Sequence, residues 1–360
     1  MSSLAIIGAG AAGLAAARAL REARPDIAVT IYEKSRGLGG RAATRRREGF
    51  TFDHGAQVIK APTPEAERLL REELPAADLR RIEPPVWVFD QSGAVAPGDP
   101  SLNAEPSYCY RDGNSRLGKL MAEGLDVRRE VRVAALGRKT KDAGPAAPAS
   151  ASPWAYDLRD TDGRHIGAAD AVLLTAPAGQ SAEIVAASEL DPGVGSALAT
   201  ELAKGGYRRC ISLALAYDRP IERPYYALVN ADRAHPIAWL GLEHAKGAER
   251  VPPGHSLLIA QMAARWSLER WGDPADVIGP EVAELVSELL GEDLRRPLWW
   301  DRQGWRYALP DGRCDFEALN GTGSGLFFAG DFTTGLGRVH LAVESGRRAA
   351  ERIAAFLTLA

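Results

Sequence analysis

Apolar residues follow the periods of strands and helices at both ends of the chain. Near the start, the apolar run Leu4 to Ile7 predicts a strand, Ala11 to Ala23 has the composition of a helix, and Ile27 to Tyr32 alternates as a strand does. These three segments form a predicted β-α-β unit. Near the end, the pattern predicts a buried strand at Leu326 to Ala329 and a helix from about Val339 to Phe356.

The middle of the chain carries further short elements. A helical spacing from Thr63 to Glu73 has Pro64 where a first turn tolerates it, and Asn114 to Ala122 predicts a helix before a strand at Val127 to Leu136. The clearest helix of the central region spans Ala275 to Leu290. The other predicted strands are Val86 to Phe89, Tyr108 to Tyr110, Trp154 to Leu158, Ala171 to Thr175, Cys210 to Tyr217, Ile237 to Leu240 and Leu257 to Met262.

One segment lacks periodicity altogether. Residues 139–153 are rich in Ala, Pro and Ser, which is typical of a flexible surface loop, and we expect this loop to join the strands of a hairpin. The region from about 185 to 310 mixes strands with one clear helix, which predicts an α+β domain inserted into the first domain. The chain of 360 residues has room for both, since a domain commonly takes roughly 150 residues.

Composition excludes several classes of function. The 44 basic and 47 acidic side chains give a formal net charge of -3, which removes the attraction to nucleic acid that a basic domain exerts. Three cysteines at wide spacings cannot form a disulfide framework, so we expect a reducing, cytoplasmic location. The apolar stretch from Leu4 to Leu20 contains three glycines and lacks a basic leader, so we expect neither a signal peptide nor a membrane span.

The first chemical motif lies between the first predicted strand and the first predicted helix. Gly8 permits a tight turn, Gly10 lets the backbone approach a pyrophosphate, and Gly13 lets helix and strand pack closely. The start of the helix adds N–H groups and a partial positive charge. Glu33 ends the next strand, 20 residues after Gly13, and we expect its carboxylate to accept hydrogen bonds from ribose hydroxyls. This motif predicts a dinucleotide, either FAD or NAD.

A second motif favours FAD. The segment Ser35 to Thr44 brings another glycine pair, Gly39 and Gly40, and the planar guanidinium of Arg41 within reach of the same pyrophosphate. The neighbouring run Arg45 to Arg47 is expected to lie in solvent. The sequence has no second GxGxxG motif, so we expect electrons to reach the flavin directly from a substrate and not from NAD(P)H in a site of its own.

A third motif, Gly330-Asp331, follows the last predicted strand. Ligands of open α/β sheets bind at the carboxyl ends of the strands, and an acidic residue there can hold a sugar hydroxyl. The helix that begins near Val339 can direct its positive end at a ring that gains negative charge on reduction.

Together these motifs resemble the FAD-dependent amine oxidase superfamily, and specifically its renalase-like branch. The resemblance is carried by GAGAAGL at 8–14 with Glu33, LGGRAAT at 38–44, FDHGAQ at 52–57, Gly330-Asp331, the last helix, and WRYALP at 305–310. It implies an α/β fold with a Rossmann-type FAD-binding domain similar to that of p-hydroxybenzoate hydroxylase. We expect this domain in residues 1–60, 111–184 and 311–360, and a substrate domain with an antiparallel sheet in 61–110 and 185–310.

The resemblance also implies the residues of the site. Val133 is implied to meet the adenine through its backbone, while His54 to Gln57 and Arg338 to Ala342 border the flavin ring. The expected cofactor-binding residues are Gly8, Gly10, Ala12, Gly13, Glu33, Lys34, Gly40, Arg41, Thr44, Gly55, Ala56, Gln57, Val133, Gly330, Asp331, Arg338, Val339 and Ala342. The expected catalytic residues are His54, Gln57, Trp305, Arg306, Arg338 and His340.

Several departures from the family pattern bear on the chemistry. Arg338 stands where amine oxidases commonly place an aromatic residue of an amine cage, and its charge repels a protonated amine. His340-Leu341 replaces a Glu-Gly pair before Ala342. A lysine that assists oxygen chemistry in many relatives is not evident, because only Lys34 of the 7 lysines lies in a flavin motif. No cysteine lies in the family's attachment pattern, so we expect noncovalent FAD.

Two further patterns are expected to be structural. Gly113 to Lys119 copies a phosphate-binding loop up to Leu120, where a Ser or Thr is required. His235, His244 and His255 are too loosely spaced for a zinc signature, so we expect no metal.

The first expectation is a flavoenzyme that takes a hydride from a small nitrogen heterocycle, with O2 as electron acceptor. The renalase resemblance suggests dihydro-NAD(P) isomers as donors. A flavin-containing amine oxidase is the close alternative, and a noncatalytic FAD-binding protein is an alternative of another class. The expected partners are a small-molecule substrate and O2, with no nucleic acid and no membrane.

Overall fold

The computed structural model describes residues 2–138 and 156–359. The chain divides into two compact units. Unit 1 comprises Met1–Gly40, Gly118–Tyr207 and Leu309–Ala360, and unit 2 comprises Arg41–Leu117 and Arg208–Ala308. Across the described ranges, no helix combines the length and the apolar character that a membrane crossing requires.

The strands run through both units. In the described residues they are β1 (Ser3–Ile7), β2 (Ala28–Glu33), β3 (Thr44–Arg47), β4 (Phe50–Asp53), β5 (Ile59–Lys60), β6 (Leu79–Arg81), β7 (Val86–Phe89), β8 (Val95–Ala96), β9 (Ser107–Tyr110), β10 (Asp126–Arg129), β11 (Ala135–Arg138), β12 (Tyr156–Arg159), β13 (His165–Ala169), β14 (Ala171–Leu174), β15 (Tyr207–Tyr217), β16 (Ala227–Asn230), β17 (Ile237–Leu242), β18 (Ser256–Met262), β19 (Trp299–Pro310) and β20 (Leu326–Phe328).

The helices alternate with these strands. Over the same residues they are α1 (Ala11–Ala23), α2 (Pro64–Arg68), α3 (Ser115–Ala122), α4 (Ala178–Ala186), α5 (Pro192–Leu202), α6 (Ala264–Glu269), α7 (Ala275–Leu290), α8 (Phe316–Asn320) and α9 (Val339–Leu359). A π-helical turn, Leu69–Glu73, continues α2, and 3-10 turns occupy Pro100–Asn103, Glu243–Lys246, Ala248–Arg250 and Asp331–Thr333.

Unit 1 is built on a parallel sheet with the strand order β10-β2-β1-β14-β20. Ile6 of β1 lies between Ile31 of β2 and Leu173 of β14, and all three are fully buried, as expected for strands covered on both faces. Helix α1 packs on α9, where a Cβ atom on Gly346 would lie 2.1 Å from the Ala12 carbonyl oxygen. This close approach requires a glycine. A smaller antiparallel sheet, β11-β12-β13, completes the unit.

Unit 2 is built on a seven-stranded sheet with the order β19-β15-β18-β17-β16-β7-β8. On one face, Leu213 and Leu258 share an apolar cluster with Val282 of α7. On the other face, Ile259 shares a cluster with Phe52 of β4. We call these the α7 face and the β4 face. The small sheets β3-β4 and β5-β9-β6 also belong to this unit.

The α/β fold class predicted from the sequence is confirmed, as are most of its elements. The β-α-β unit forms β1, α1 and β2, and α7 has the predicted bounds. The helix predicted from Thr63 begins with Pro64, and the Thr63 hydroxyl accepts a hydrogen bond from the Ala66 N–H at 3.2 Å. This is the arrangement that an N-terminal Thr-Pro pair favours.

The prediction of one strand from Val127 to Leu136 is wrong, because this segment forms two separate strands. Strand β10 ends at Arg129, Glu130 has a φ of 61°, and Val131 donates its N–H to the Glu33 carbonyl at 3.0 Å. The chain then enters β11, which belongs to the antiparallel sheet. The predicted loop 139–153 and Trp154 lie outside the described residues, although β11 and β12 pair antiparallel on either side of them.

The unit boundaries differ from the predicted domain boundaries. Residues 185–207 belong to unit 1, because Leu198 and Leu202 of α5 share an apolar cluster with Val172 and Leu174 of the parallel sheet. Residues 41–60 and 111–117 belong to unit 2. Strand β4 is placed there by its cluster with β15 and β18.

Candidate functional site

In unit 1, the glycine-rich turn between β1 and α1 has the geometry of a phosphate-binding loop. Gly8 has a φ of 114°, and a Cβ atom there would lie 2.7 Å from the Thr175 hydroxyl. A Cβ atom on Gly13 would lie 2.1 Å from the Gly8 carbonyl oxygen. These two glycines therefore serve the tight turn and the close helix packing that the sequence predicted.

Gly10 differs from these two because it faces open space. A Cβ atom on Gly10 would have no neighbour within 4 Å, whereas one on Gly40 would lie 3.4 Å from the Gly10 Cα. The Gly39 N–H donates to the Ala9 carbonyl at 2.9 Å, so the second glycine pair lies directly against the first loop. The two loops form a backbone cradle over Gly10 that fits the pyrophosphate of a dinucleotide.

Glu33 closes one end of this cradle. Its carboxylate is buried, with 8% exposed, and accepts the N–H groups of Ala9 at 2.9 Å and Ser35 at 2.7 Å. A carboxylate offers about four lone pairs, so both oxygens can accept a further bond from a ribose hydroxyl. Glu33 thus also orders the glycine loop, a role that the sequence analysis did not include.

Lys34 directly follows Glu33, and Val133 comes two residues after Val131, whose N–H donates to the Glu33 carbonyl. The Lys34 ammonium donates to the Gln180 side-chain oxygen at 3.0 Å, and burial lowers its pKa. Val133 is buried between β10 and β11, where Ala134 donates its N–H to the Arg159 carbonyl at 2.8 Å. The placement of Val133 agrees with backbone contact to an adenine, which stays a prediction.

The Gly330-Asp331 motif lies at the end of β20. Gly330 has a φ of 144° and donates its N–H to the Ser345 hydroxyl at 3.0 Å. The buried carboxylate of Asp331 accepts the Tyr207 hydroxyl at 2.7 Å. Tyr207 could not be predicted from the sequence, because nothing in the start of β15 indicates a partner 124 residues away.

The residues predicted before and within α9 occupy its first turn. Val339 is the first helical residue, and Ala342 donates its N–H to the Arg338 carbonyl at 3.1 Å. The Arg338 side chain is exposed and donates to the Gly337 carbonyl at 3.2 Å. Among the described residues, no carboxylate pairs with it. His340 is half-buried.

The remaining predicted residues lie in unit 2. The Arg41 Nη1 atom donates to the carbonyl oxygens of Tyr307 and Ala308, each at 3.1 Å. These contacts fix the guanidinium at the end of β19. The predicted contact between Arg41 and the pyrophosphate stays a prediction.

The run Arg45 to Arg47 is not the solvated run that the sequence predicted. The Arg45 side chain donates to the Gln303 side-chain oxygen at 2.8 Å, and the Arg47 guanidinium lies 4.6 Å from the centre of the Trp299 ring. Only Arg46 is exposed. The alternation of β3 turns two of the three side chains toward β19, and this packing partner cannot be recognised from a local run of charge.

His54 and Trp305 form a stacked pair. Their ring centres are 5.4 Å apart with an interplanar angle of 15°, and the Trp305 indole N–H donates to the His54 carbonyl at 2.8 Å. His54 is 9% exposed, and its Nδ1 atom has no hydrogen-bond partner in the described part of the chain. Burial, followed by the charge of Arg45, lowers its pKa to about 4, against the opposing effect of Asp53.

Trp305 and Arg306 are neighbours on β19. Neighbouring residues of a strand point to opposite faces, so only Trp305 shares a face with His54. The Arg306 side chain is exposed and has no hydrogen bond or ion pair with the residues described. Trp305 and Arg306 therefore lie on opposite faces of β19, and the catalytic role predicted for each stays a prediction.

Gly55 is enclosed on several sides. A Cβ atom on it would lie 2.0 Å from the Arg41 carbonyl oxygen, and its own carbonyl accepts the amides of Gln57 at 3.2 Å and Gln261 at 2.7 Å. The Gln57 amide also donates to the Asp53 carbonyl. The predicted residues of this segment are therefore held in one conformation, and Gln261 is a supporting residue that the sequence analysis missed.

Thr44 makes structural contacts, and its predicted contact with the cofactor stays a prediction. Its hydroxyl donates to the Asp53 carboxylate at 2.6 Å and accepts the Ser115 N–H at 3.0 Å. A Cβ atom on Gly113 would lie 2.1 Å from the Thr44 methyl carbon. The residues that resemble a phosphate-binding loop thus pack against Thr44.

A cluster of four charged side chains, which we call the charge cluster, lies beneath His54. Asp53, Glu243, Lys246 and Arg250 are each fully buried in their side chains. Arg250 lies 2.9 Å from Asp53 and 3.1 Å from Glu243, while Lys246 lies 2.7 Å from Glu243 and 3.4 Å from the Gln57 side-chain oxygen. The two positive and two negative charges balance. This cluster was not predicted from the sequence.

Charge compensation sets the ionisation of Asp53. Burial acts to raise its pKa, but the charges of Arg250 and Lys246 and the Thr44 hydroxyl outweigh burial and lower the pKa below its usual value. Asp53 therefore stays ionised at neutral pH and holds the start of the His54 segment.

The three histidines of the central region bind backbone atoms. His235 accepts the Ile237 N–H at 3.0 Å, and the ring of His244 lies 2.8 Å from the Ile221 carbonyl. His255 lies 2.9 Å from the Pro253 carbonyl. In residues 2–138 and 156–359, no group of three or more His, Cys, Asp or Glu side chains is arranged to hold a metal ion.

Comparison with curated proteins gives a short match. A 4,4'-diapophytoene desaturase of Staphylococcus haemolyticus (strain JCSC1435) is 44% identical over 59 residues, and that of Staphylococcus aureus (strain Newman) is 46% identical over 59 residues. Each match covers 16% of this chain and only 11% of the desaturase.

Solved structures match along almost the whole chain. A putative protoporphyrinogen oxidase from Exiguobacterium sp. 255-15 has a TM-score of 0.74 at 18% identity and covers 98% of both chains. Putrescine oxidase bound to putrescine has a TM-score of 0.73 at 15% identity, with 98% and 99% covered. Cyclohexylamine oxidase from Brevibacterium oxydans IH-35A has 0.73 at 15% identity, with 99% of both chains covered. These likenesses show the fold.

Family models cover most of the chain. Residues 6–72 match the NAD(P)-binding Rossmann-like domain, and residues 84–354 match the flavin containing amine oxidoreductase family. The cradle over Gly10 agrees with both matches, and the protein is an FAD-dependent oxidoreductase. The chain belongs to the flavin-containing amine oxidoreductase family.

Proposed function

We propose that the protein is an oxidase that takes a hydride from an uncharged nitrogen heterocycle and passes the electrons to O2. Dihydro-NAD(P) isomers are the proposed donors, as the resemblance to renalase-like enzymes implies. The observation that carries the proposal is the stacked pair of His54 and Trp305 in unit 2, since both rings are uncharged at neutral pH.

The state of His54 decides which donors suit this pair. A group with a pKa of about 4 is a neutral imidazole at pH 7, so it neither attracts an anion nor repels a cation. It is also a weak base, poorly matched to removing a proton at neutral pH. Because His54 is buried, the surface that the pair offers is the half-buried indole of Trp305, which suits an uncharged ring.

Charges within unit 2 disfavour a cationic donor beside the stacked pair. Both carboxylates of the charge cluster are bonded to Arg250, so neither is available to an ammonium group. A protonated amine beside the pair would lose its hydration without gaining a counter-charge from the cluster. Within unit 1, the exposed guanidinium of Arg338 is a separate positive charge that repels cations.

The chemistry of a dihydropyridine fits these residues. Loss of a hydride removes two electrons and one hydrogen nucleus, and the ring nitrogen stabilises the aromatic cation that remains. FAD supplies the two-electron acceptor when bound. No proton leaves carbon, so His54 and His340 need not act as bases. Molecular oxygen takes the two electrons and, with two protons, becomes hydrogen peroxide.

A flavin-containing amine oxidase is the second candidate, and the family match favours it. Such an enzyme oxidises the free amine, so the donor must first lose its ammonium proton. The neutral His54 and the paired carboxylates give that proton no ready acceptor in unit 2.

Oxygen consumption and peroxide formation test the proposal. The purified holoenzyme is mixed in air with isomers of reduced NAD(P), benzylamine, polyamines and catecholamines in turn. We expect peroxide in equal amount to the oxidised donor with a dihydronicotinamide isomer, and none above background with the amines. Peroxide from an amine alone would replace this proposal with the amine-oxidase alternative.

A further inference from the structure

Thr175 lies in unit 1, where two parallel strands reach the glycine-rich turn. Strands β1 and β14 pair with Ile7 opposite Leu174, so Gly8 and Thr175 follow side by side at the carboxyl end of the sheet. The Thr175 N–H donates to the Ile7 carbonyl at 3.0 Å, which continues the pairing of the two strands by one residue. The half-buried side chain of Thr175 therefore lies directly beside the turn.

The Thr175 hydroxyl binds the carbonyl of the first glycine in the turn. It donates to the carbonyl oxygens of Ile7 and Gly8, each at 3.0 Å. A hydroxyl has a single proton, so the two oxygens share it in a three-centre bond. The Gly8 N–H donates to the Tyr32 carbonyl of β2 at 2.8 Å. Gly8 is thus held on both sides, by β2 through its N–H and by Thr175 through its carbonyl.

The next two carbonyls of the turn also have protein partners. The Ala9 carbonyl accepts the Gly39 N–H at 2.9 Å, and the Gly10 carbonyl accepts the Leu14 N–H at 3.0 Å. With the bond from Thr175, three consecutive carbonyls of the turn are bonded to donors of the protein. The space over Gly10 is open, since a Cβ atom there would have no neighbour within 4 Å.

The direction of these carbonyls matters because the ligand of the turn is an anion. A carbonyl oxygen carries a partial negative charge and repels a diphosphate, whereas the N–H groups at the start of a helix attract it. Gly8 has a φ of 114°, in a region that glycine enters easily and can also leave easily, because it has no side chain to restrict its backbone. The conformation of Gly8 therefore depends on the bonds that hold it.

We propose that Thr175 is a positioning residue for FAD, whose hydroxyl holds the Gly8 carbonyl away from the diphosphate of the cofactor. Thr175 acts through the turn and needs no contact of its own with FAD. It is 167 residues from Gly8 in sequence and so lies outside the local glycine motif. The proposal concerns the cofactor alone, so it goes beyond the proposed function and does not depend on which donor reduces the flavin.

Release of FAD from three variant holoenzymes tests the hydroxyl. Thr175→Ser keeps the hydroxyl, Thr175→Ala differs from it only by the loss of that group, and Thr175→Val keeps the shape of threonine without the hydroxyl. Fluorescence of the FAD released on dilution measures affinity. We expect Thr175→Ala and Thr175→Val to bind FAD about threefold to tenfold more weakly than the parent, the factor that one hydrogen bond supplies, and Thr175→Ser to bind it within about twofold of the parent.

Thr200→Ala is the matched control. The hydroxyl of Thr200 also donates to a backbone carbonyl, that of Ser196 at 2.9 Å, but it does so on the exposed side of α5. This variant loses the same group and the same kind of bond without any change in the turn. It should retain FAD as the parent does.

Phosphorus NMR of the bound FAD separates positioning from a merely structural role. A residue that only stabilised the end of β14 would lower the unfolding midpoint and leave the two phosphorus resonances in place. We expect these resonances to move in Thr175→Ala and to keep their parent positions in Thr175→Ser.

Two results would overturn the proposal. One is equal FAD affinity of the Thr175→Ser and Thr175→Ala holoenzymes, and the other is weaker FAD binding by Thr175→Ala with unmoved phosphorus resonances. If Thr175→Val does not fold, the serine and alanine variants decide the matter. No donor is oxidised in these measurements, so a failure of the proposed function would leave their outcome unchanged.

Discussion

At the scale of single residues, burial decides what His54 can do. The imidazole is stacked on Trp305, its Nδ1 atom lacks a partner among the described residues, and burial is the largest cause of its lowered pKa. An exposed histidine in the same sequence would titrate near neutral pH. The segment His54 to Gln57 thus presents an uncharged ring although a buried carboxylate, Asp53, comes directly before it.

The pKa of His54 predicts a pH dependence of stability. Its folded value of about 4 lies below the usual 6.5, so the unfolded chain binds this proton first as the pH falls. The contribution of neutral His54 to the free energy of unfolding is fully present above pH 6.5. It is lost as the pH falls to about 4, and this loss is on the order of 3 kcal/mol. Urea unfolding of the parent and His54→Phe at several pH values measures it. Carboxylates titrate in both proteins and affect both stability profiles alike, so the difference between the two profiles reports on His54. Parallel profiles between these pH values would contradict the pKa assigned to His54.

Glu33 predicts a specific loss of cofactor affinity. Glu33→Ala removes the acceptor of the Ala9 and Ser35 N–H groups and the expected ribose contact. We expect FAD to dissociate about 10-fold to 100-fold more readily, since hydrogen bonds to a charged group contribute roughly 1.5 to 3 kcal/mol. Fluorescence of released FAD on dilution measures this. Glu22→Ala, on the exposed side of α1, is the control and should retain FAD like the parent. Equal retention by Glu33→Ala would show that Glu33 does not support the cofactor.

At the scale of elements, local patterns were predicted better than long-range ones. Strand β1, helix α1 and helix α7 follow from periodicity within a few turns of chain. The break between β10 and β11 depends on the left-handed conformation of Glu130, which hydrophobic spacing does not encode. Local sequence patterns predict contacts within a short stretch of chain only. The loop over Gly10 was therefore predicted, whereas the hydrogen bond between Tyr207 and Asp331 was not.

The charge cluster shows most clearly that contacts between distant segments cannot be predicted from local sequence. Asp53 and Arg250 are 197 residues apart in sequence, and each resembles an ordinary surface charge until the fold buries both. Gln261 likewise appears as a single polar residue in an apolar strand. The sequence therefore predicted the glycine loops, whose pattern is local, and missed the side chains that support the His54 segment from distant elements.

Arg250 predicts how much the charge cluster contributes to stability. Arg250→Met leaves the buried carboxylates of Asp53 and Glu243 with Lys246 as their one remaining cation in the charge cluster, so one negative charge is uncompensated, which should lower the free energy of unfolding by about 3 to 5 kcal/mol. Arg265→Met is the matched control, because the Arg265 side chain is 93% exposed, and it should change stability by less than about 0.5 kcal/mol. Denaturant unfolding of both variants measures the difference. Equal stability of the two would mean that the cluster carries no net stabilisation.

At the scale of the whole molecule, the cysteines bear on how FAD is held. Burial raises the pKa of each of the three cysteines. The pKa is raised to about 12 for Cys210 and to about 11 for Cys314, and it is also raised for Cys109, so all three are thiols at neutral pH. The thiolate is the nucleophilic form of cysteine, so these groups are poorly suited to covalent attachment. We predict that acid precipitation releases all of the FAD into the supernatant, measured by its absorbance at about 450 nm. A pellet that keeps its yellow colour would show a covalent link.

We propose that an uncharged dihydronicotinamide, and not an amine, reduces the flavin of this enzyme. Anaerobic stopped-flow mixing tests it most directly, because it records the reaction of donor with flavin without any later step. We predict that an isomer of reduced NAD(P) bleaches the band at about 450 nm in a single rapid phase. The rate should lack the steep rise with pH that deprotonation of an amine imposes. Rapid bleaching by benzylamine or a polyamine, with none by any dihydronicotinamide isomer, would contradict the account.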